Sequence, residues 1–176
     1  MAQLRGQDRI SARALQFAVL TAARSAGVRG ATWAEIDGAA LTLPQSRMKA
    51  GPQHRLPRSE PALAILRVIA NMQHEPGSLI FPGMTQRMPL SAMSLTAVLR
   101  RMGRGDLTAH GSRSTFHDWA VEATASRIMF SSKRWHMRSA LQWRPPIAAA
   151  IFAKRVELMA AWAAYCTGEG EAGIER

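Results

Sequence analysis

Apolar residues recur at helical spacing along most of the chain, and the period changes clearly near Leu41. Ser11 reads as an N-cap. Behind it Leu15, Val19, Ala22 and Ala23, with Leu20 beside them, repeat every three or four residues, as the inner face of a helix does. That helix is expected to run through about Arg24 and stop near Gly27. Thr32 caps a short helix through Trp33, Glu35 and Ile36. Leu41-Thr42-Leu43 then alternates as a strand does, with Arg55-Leu56-Pro57 as its partner. The polar stretch from Pro44 to Gln53, with Gly51-Pro52, becomes the long tip of a β-hairpin.

Ser59, Glu60 and Pro61 open the next helix with proline in its first turn, and Leu63, Leu66, Ile69 and Ala70 form its buried face. Pro76-Gly77 is a turn, and Leu79-Ile80-Phe81 is short and extended. A helix from Leu90 or Ser91 to about Met102 buries Leu95, Val98 and Leu99, with Arg100, Arg101 and Arg104 gathered at its end. Thr108 or Ser112 precedes a helix carrying Phe116, Trp119 and Ala120. The last helix, about Ala148 to Tyr165, carries Phe152, Val156, Met159 and Trp162. Pro145-Pro146 reads as opposing a helix at its own position. The expected fold is mainly α with a small antiparallel β-hairpin or sheet (α+β). It is one domain over residues 1–168, followed by a flexible tail over 169–176 that is rich in glycine and glutamate.

Charge adds a partner to this picture. The chain has 176 residues, with 23 Lys and Arg against 12 Asp and Glu, a formal charge of +11. An excess of this size in a small domain points to a polyanion, although a solubilising surface has the same composition. No apolar run reaches the roughly 20 residues that span a bilayer, so no membrane is expected. Cys166 is the only cysteine, which excludes an internal disulfide. With no signal-peptide stretch at the N-terminus, a cytoplasmic location is expected. No zinc spacing, glycine-rich phosphate loop or nucleophile elbow is present, so neither a metal nor a cofactor is expected.

Three segments carry the candidate chemistry. The first is Leu20 to Gly30 (LTAARSAGVRG), followed by Trp33-Ala34-Glu35-Ile36-Asp37. The second is Arg47-Met48-Lys49-Ala50-Gly51, followed by His54-Arg55-Leu56-Pro57. The third is Thr108 to Phe116 (TAHGSRSTF), followed by Asp118-Trp119. Taken singly, each charged residue has an ordinary use. Arg24 can be a cation at a helix C-terminus, Lys49 a solvated loop lysine, His110 a loop residue near a helix start. Trp33, Trp119 and Trp162 read as core anchors.

Taken in order, the segments closely resemble the catalytic domain of phage integrases of the tyrosine recombinase family, over Ala2 to about Ala125 and again over Phe152 to Gly168. The resemblance implies site-specific DNA recombination on double-stranded DNA without metal or cofactor. A tyrosine attacks a backbone phosphate, and a partner strand's hydroxyl reverses the step. Charge builds on the phosphate's non-bridging oxygens, so fixed cationic donors are needed there, and arginine's planar fork suits them. The resemblance assigns Arg24 and Arg113 as the phosphate-clamping arginines and Lys49 as the general acid. It gives His110 the role of assisting proton transfer or orienting the phosphate. It also implies a possible homo-oligomer on DNA.

The pattern breaks in three places. Gly27 stands where the family has a glutamate that helps hold the first arginine. Almost nothing precedes Ile10, where family members carry a further DNA-binding domain, so the chain reads as truncated at its N-terminus. Residues 126–151 are aberrant: they lack the family's Leu-Ala-His and its nucleophilic tyrosine, and His136 is a weak stand-in. Tyr165 lies in the part that matches the family's C-terminal helix and is not that nucleophile. The expectation is therefore a catalytically inactive recombinase, the alternative a DNA-binding remnant or regulator without catalysis.

Codon arithmetic suggests a cause. Joining the last base of each codon to the first two of the next lets Arg134-Trp135-His136-Met137 read Leu-Ala-His. Arg144-Pro145-Pro146-Ile147-Ala148 can likewise read Ala-Ala-Tyr-Arg. Two compensating frameshifts, near Ser126 and Phe152, are the hypothesis. The coding DNA from Ala125 to Phe152 is expected to spell those residues in the alternate frame; any other reading there ends the idea.

Overall fold

The structure is a computed structural model and describes residues 1–38, 40–44, 54–72, 75, 77–85, 87–123 and 145–168. Helices make up most of it: α1 (Ala2–Arg5), α2 (Ile10–Thr21), α3 (Ser25–Arg29), α4 (Glu60–Ala70), α5 (Ser94–Arg101), α6 (Gly111–Ala123) and α7 (Pro145–Thr167). One antiparallel sheet has the order β1 (Ile36–Asp37), β2 (Ala40–Leu43), β3 (His54–Pro57). The α+β expectation holds. The hairpin pairs Leu41 with Leu56 and Thr42 with Arg55. The strand β1, which the pattern missed, pairs Ile36 with Leu41. Two residues are too few to show alternation, so β1 had no periodic signal.

Helix α2 is the hub, packing against α1, α3, α4, α5 and α7. A surface helix would show one apolar stripe. In α2, Ala12, Ala14, Leu15, Gln16, Phe17, Ala18, Leu20 and Thr21 are all buried, so it is enclosed nearly all round. Its alanines let neighbouring helices approach closely, and its two buried polar side chains are both satisfied. Gln16 Nε2 donates to the Leu4 carbonyl at 2.6 Å. Thr21 Oγ1 donates to the Phe17 carbonyl at 2.6 Å, a back-bond to the preceding turn.

Several boundaries differ from the pattern. Helix α2 ends at Thr21, not near Arg24, because Ala22 turns left-handed (φ 49°, ψ 28°) and a second short helix starts at Ser25. Its N-cap is Arg9, not Ser11. Thr32 and Glu35 form a reciprocal capping box on a single 3₁₀ turn, Trp33–Glu35. The inner face of α4 is Ala62, Ile65, Leu66 and Ile69, one step round from the expected set. Helix α5 starts at Ser94 and buries Leu95, Val98 and Leu99 as expected.

Helix α7 begins at Pro145-Pro146, correcting the reading that these residues oppose a helix there. The first-turn N–H groups have no intrahelical partner, so two residues without that donor are tolerated at the start. Trp33 and Trp162 are core anchors, at 7% and 2% exposure. Trp119 is half-buried, and Val156 lies exposed on α7. No helix among the described residues is long and apolar enough to cross a membrane.

Two features of this packing generate predictions. Arg58, just after β3, is buried at 5% exposure. Its Nη2 donates to the Gly38 carbonyl, while burial lowers its pKa and Asp37 partly offsets that. A guanidinium so placed costs desolvation that one carbonyl and one nearby carboxylate offset only in part. Arg58→Met is expected to leave stability unchanged or raise it by about 1–2 kcal/mol, measured by urea unfolding; a loss of that size would show the cation to be stabilising.

The Cys166 thiol, packed against the core, is pushed up to about 12 by burial. At pH 8 only about one such thiol in ten thousand is ionised, and the thiolate is the reactive form. Native protein is expected to react with a disulfide reagent far more slowly than urea-unfolded protein. Because the unfolded thiol ionises first, stability falls as pH rises from about 9 towards 12.

Candidate phosphate site

The site is built around the abrupt end of α2. The Val19 carbonyl accepts the Ala22 N–H at 3.2 Å. Ala22 then adopts the left-handed conformation, unusual for a residue with a Cβ, and is the only such non-glycine position among the described residues. That turn stops the helix and sends the chain outward, so Arg24 becomes the exposed N-cap of α3. Downstream, Arg29 Nη1 donates to the Leu90 carbonyl at 2.8 Å and ties α3 to the loop before α5.

Arg113 arrives from a distant part of the chain. It lies in the first turn of α6, and its Nη1 donates to the Ala22 carbonyl at 2.7 Å, across 91 residues of sequence. It is half-buried. Burial, and then the like charge of Arg24, lower its pKa. The second cause is informative, because it means the two guanidinium groups are close enough to oppose one another. An anion held by both would relieve that repulsion and restore solvation lost to burial.

His110 sits exposed immediately before α6, and its carbonyl accepts the Arg113 N–H at 3.0 Å. It therefore shares the α6 N-terminus with Arg113, the end of a helix where its dipole favours negative charge. The Thr108 side chain accepts the Gly111 N–H at 2.9 Å and closes that turn.

The structure thus lodges Arg113 on the Ala22 carbonyl, two residues before Arg24, and puts His110 three residues from Arg113. Lys49 and His136 lie outside the described residues, as does the hairpin tip that holds Lys49. Strands β2 and β3 run to Leu43 and from His54, so the tip's two stems are in place. Helix α7 reaches the hairpin as well, with the Arg55 guanidinium 5.1 Å over the Phe152 ring.

One contributor had no sequence signal as a site residue. The Trp162 indole Nε1 donates to the Val19 carbonyl at 2.8 Å, across 143 residues. The tryptophan is legible as a core anchor, but its bond to the end of α2 is not. Trp162 packs with Ala22, Phe116, Ala120, Leu158 and Met159, a second small core that joins α2, α6 and α7.

Two curated proteins are similar to this chain. Prophage integrase IntZ of Escherichia coli (strain K12) is 34% identical over 106 residues, which are 58% of this chain and 26% of that protein. Prophage integrase IntA of the same strain is 35% identical over 100 residues, 54% of this chain and 24% of that protein. This chain is related to the phage integrases. It spans about a quarter of the length of these integrase relatives. No family model matches the chain, and no solved structure matches it.

Proposed function

We propose that this chain holds a backbone phosphate of double-stranded DNA between Arg24 and Arg113, as a site-specific recombinase does, and that it does not cut the strand. The observation carrying this reading is the half-buried Arg113, lodged on the Ala22 carbonyl and opposed by the charge of Arg24. Two cations kept together at a helix N-terminus suit an anion with several oxygens. The net charge of +11 supplies long-range attraction to a polyanion. Two integrase relatives at about 35% identity make DNA the anion of choice. Lys49 is the general acid and His110 the phosphate-orienting imidazole in this reading, and a homo-oligomer on DNA is the assembly it implies.

The tyrosine inventory supports the reading that the strand is not cut. The chain has one tyrosine, Tyr165. It lies near the end of α7, stacked on Trp162 (5.5 Å, 24°) and close to Trp119 (5.7 Å). Trp119 is six residues along α6 from Arg113, about 9 Å of helix rise. Tyr165 thus stacks on the aromatic cluster, and in this reading it is not the nucleophile. A DNA-binding remnant or regulator would use the same phosphate contact, and restoring a tyrosine separates the two. Cleavage that then depends on Lys49 and Arg113 marks the enzyme lineage.

The test is duplex binding followed by fluorescence anisotropy over a range of salt. Arg24→Gln is expected to weaken binding about three- to tenfold. It should also reduce the slope of log K against log salt by about 0.9, the signature of one lost phosphate contact. An unchanged slope would remove Arg24 from the DNA interface. On a nicked suicide substrate no covalent adduct is expected, and a tyrosine-linked adduct would overturn the claim of inactivity.

A further inference from the structure

We infer that Trp162 is a positioning residue for the arginine pair, acting through the end of α2 without touching the bound phosphate itself. The inference rests on the proposed phosphate site and adds to it a residue from the far end of the chain. Two carbonyls at the end of α2 receive side-chain donors from two other helices. Trp162 on α7 donates to the Val19 carbonyl at 2.8 Å, and Arg113 on α6 donates to the Ala22 carbonyl at 2.7 Å. Between them lies the left-handed Ala22, at φ 49° and 1% exposure. A non-glycine residue in that conformation persists only where its surroundings over-determine it.

Each bond has a distinct consequence. Continued as helix, the Val19 carbonyl would accept the Ala23 N–H; instead it accepts the Ala22 N–H and the indole N–H. Those two donors end α2 there. The left-handed turn that follows directs the Ala22 carbonyl at Arg113 and the chain onward to Arg24, two residues later. Trp162 is 2% exposed and its ring meets Phe116 of α6 edge-on at 5.3 Å, so it also sets how α6 lies on α2. The geometry of both arginines therefore depends on one indole N–H. A core tryptophan needs only its ring to fill space, whereas this one also uses its nitrogen.

Trp162→Phe keeps most of the ring volume and removes the N–H. Trp162→3-benzothienylalanine keeps the bicyclic shape as well and serves if the phenylalanine variant does not fold. Hydrogen exchange reports on the turn, and anisotropy with a duplex oligonucleotide reports on the phosphate site. Amide protection at Ala22 to Arg24 is expected to fall about fivefold or more, the scale of one neutral hydrogen bond, with protection in β2 unchanged. Duplex affinity is expected to fall about three- to fivefold, and this loss should be clearly smaller in an Arg24→Gln background, where only the Arg113 share remains. Such non-additivity distinguishes positioning from a general loss of stability.

Additive losses in the double variant, or unchanged protection at Ala22 to Arg24, would overturn the inference. If Arg24→Gln alone leaves duplex affinity unchanged, the DNA reading fails, and the exchange data still decide whether Trp162 holds the turn.

Discussion

The end of α2 is where the separate parts of the molecule meet. An α-helix leaves its last carbonyls without partners. Here the Val19 and Ala22 carbonyls are taken by Trp162 of α7 and Arg113 of α6. A solvent-facing helix end would be satisfied by water and would impose nothing on its neighbours. This one is buried, so its carbonyls demand donors, and the donors come from helices remote in sequence. Satisfying them fixes the positions of α6 and α7 on α2 and the direction in which the chain leaves towards Arg24.

Burial of charge is the second constraint. Arg58, Arg113 and Arg155 all have their pKa lowered chiefly by burial, Arg155 to about 10. Placing guanidinium groups in apolar surroundings opposes folding unless each finds acceptors. At Arg58 the offset comes from the Gly38 carbonyl and Asp37. At Arg113 the Ala22 carbonyl is among the acceptors, while the charge of Arg24 lowers the pKa further. Arg58 therefore resembles a tolerated structural cation.

The relation to phage integrases and this electrostatic arrangement come from separate observations. The relation comes from identity over 54–58% of the chain. The convergence of Arg24 and Arg113 comes from packing: a left-handed turn, a cross-chain hydrogen bond and a shared core of Phe116, Ala120 and Trp162. These packing contacts involve none of residues 126–144, which lie outside the described residues.

Local sequence was enough to determine the helices with a regular apolar repeat, such as the Leu95, Val98 and Leu99 face of α5. It also determined the hairpin at Leu41 and Leu56, because periodicity of burial is written directly in the order of residues. The all-round burial of α2 was not legible, since enclosure depends on how many neighbours gather round a helix. Nor was its early stop, because Ala22 is an ordinary helix former whose left-handed turn is imposed by contacts from outside the segment. Motif order named Arg24, His110 and Arg113, but only the tertiary structure brought Arg113 onto the Ala22 carbonyl and Trp162 onto the Val19 carbonyl. A hydrogen bond spanning 91 or 143 residues leaves no local trace. Such a contact is decided by which surfaces pack together, and that is a property of the folded chain as a whole.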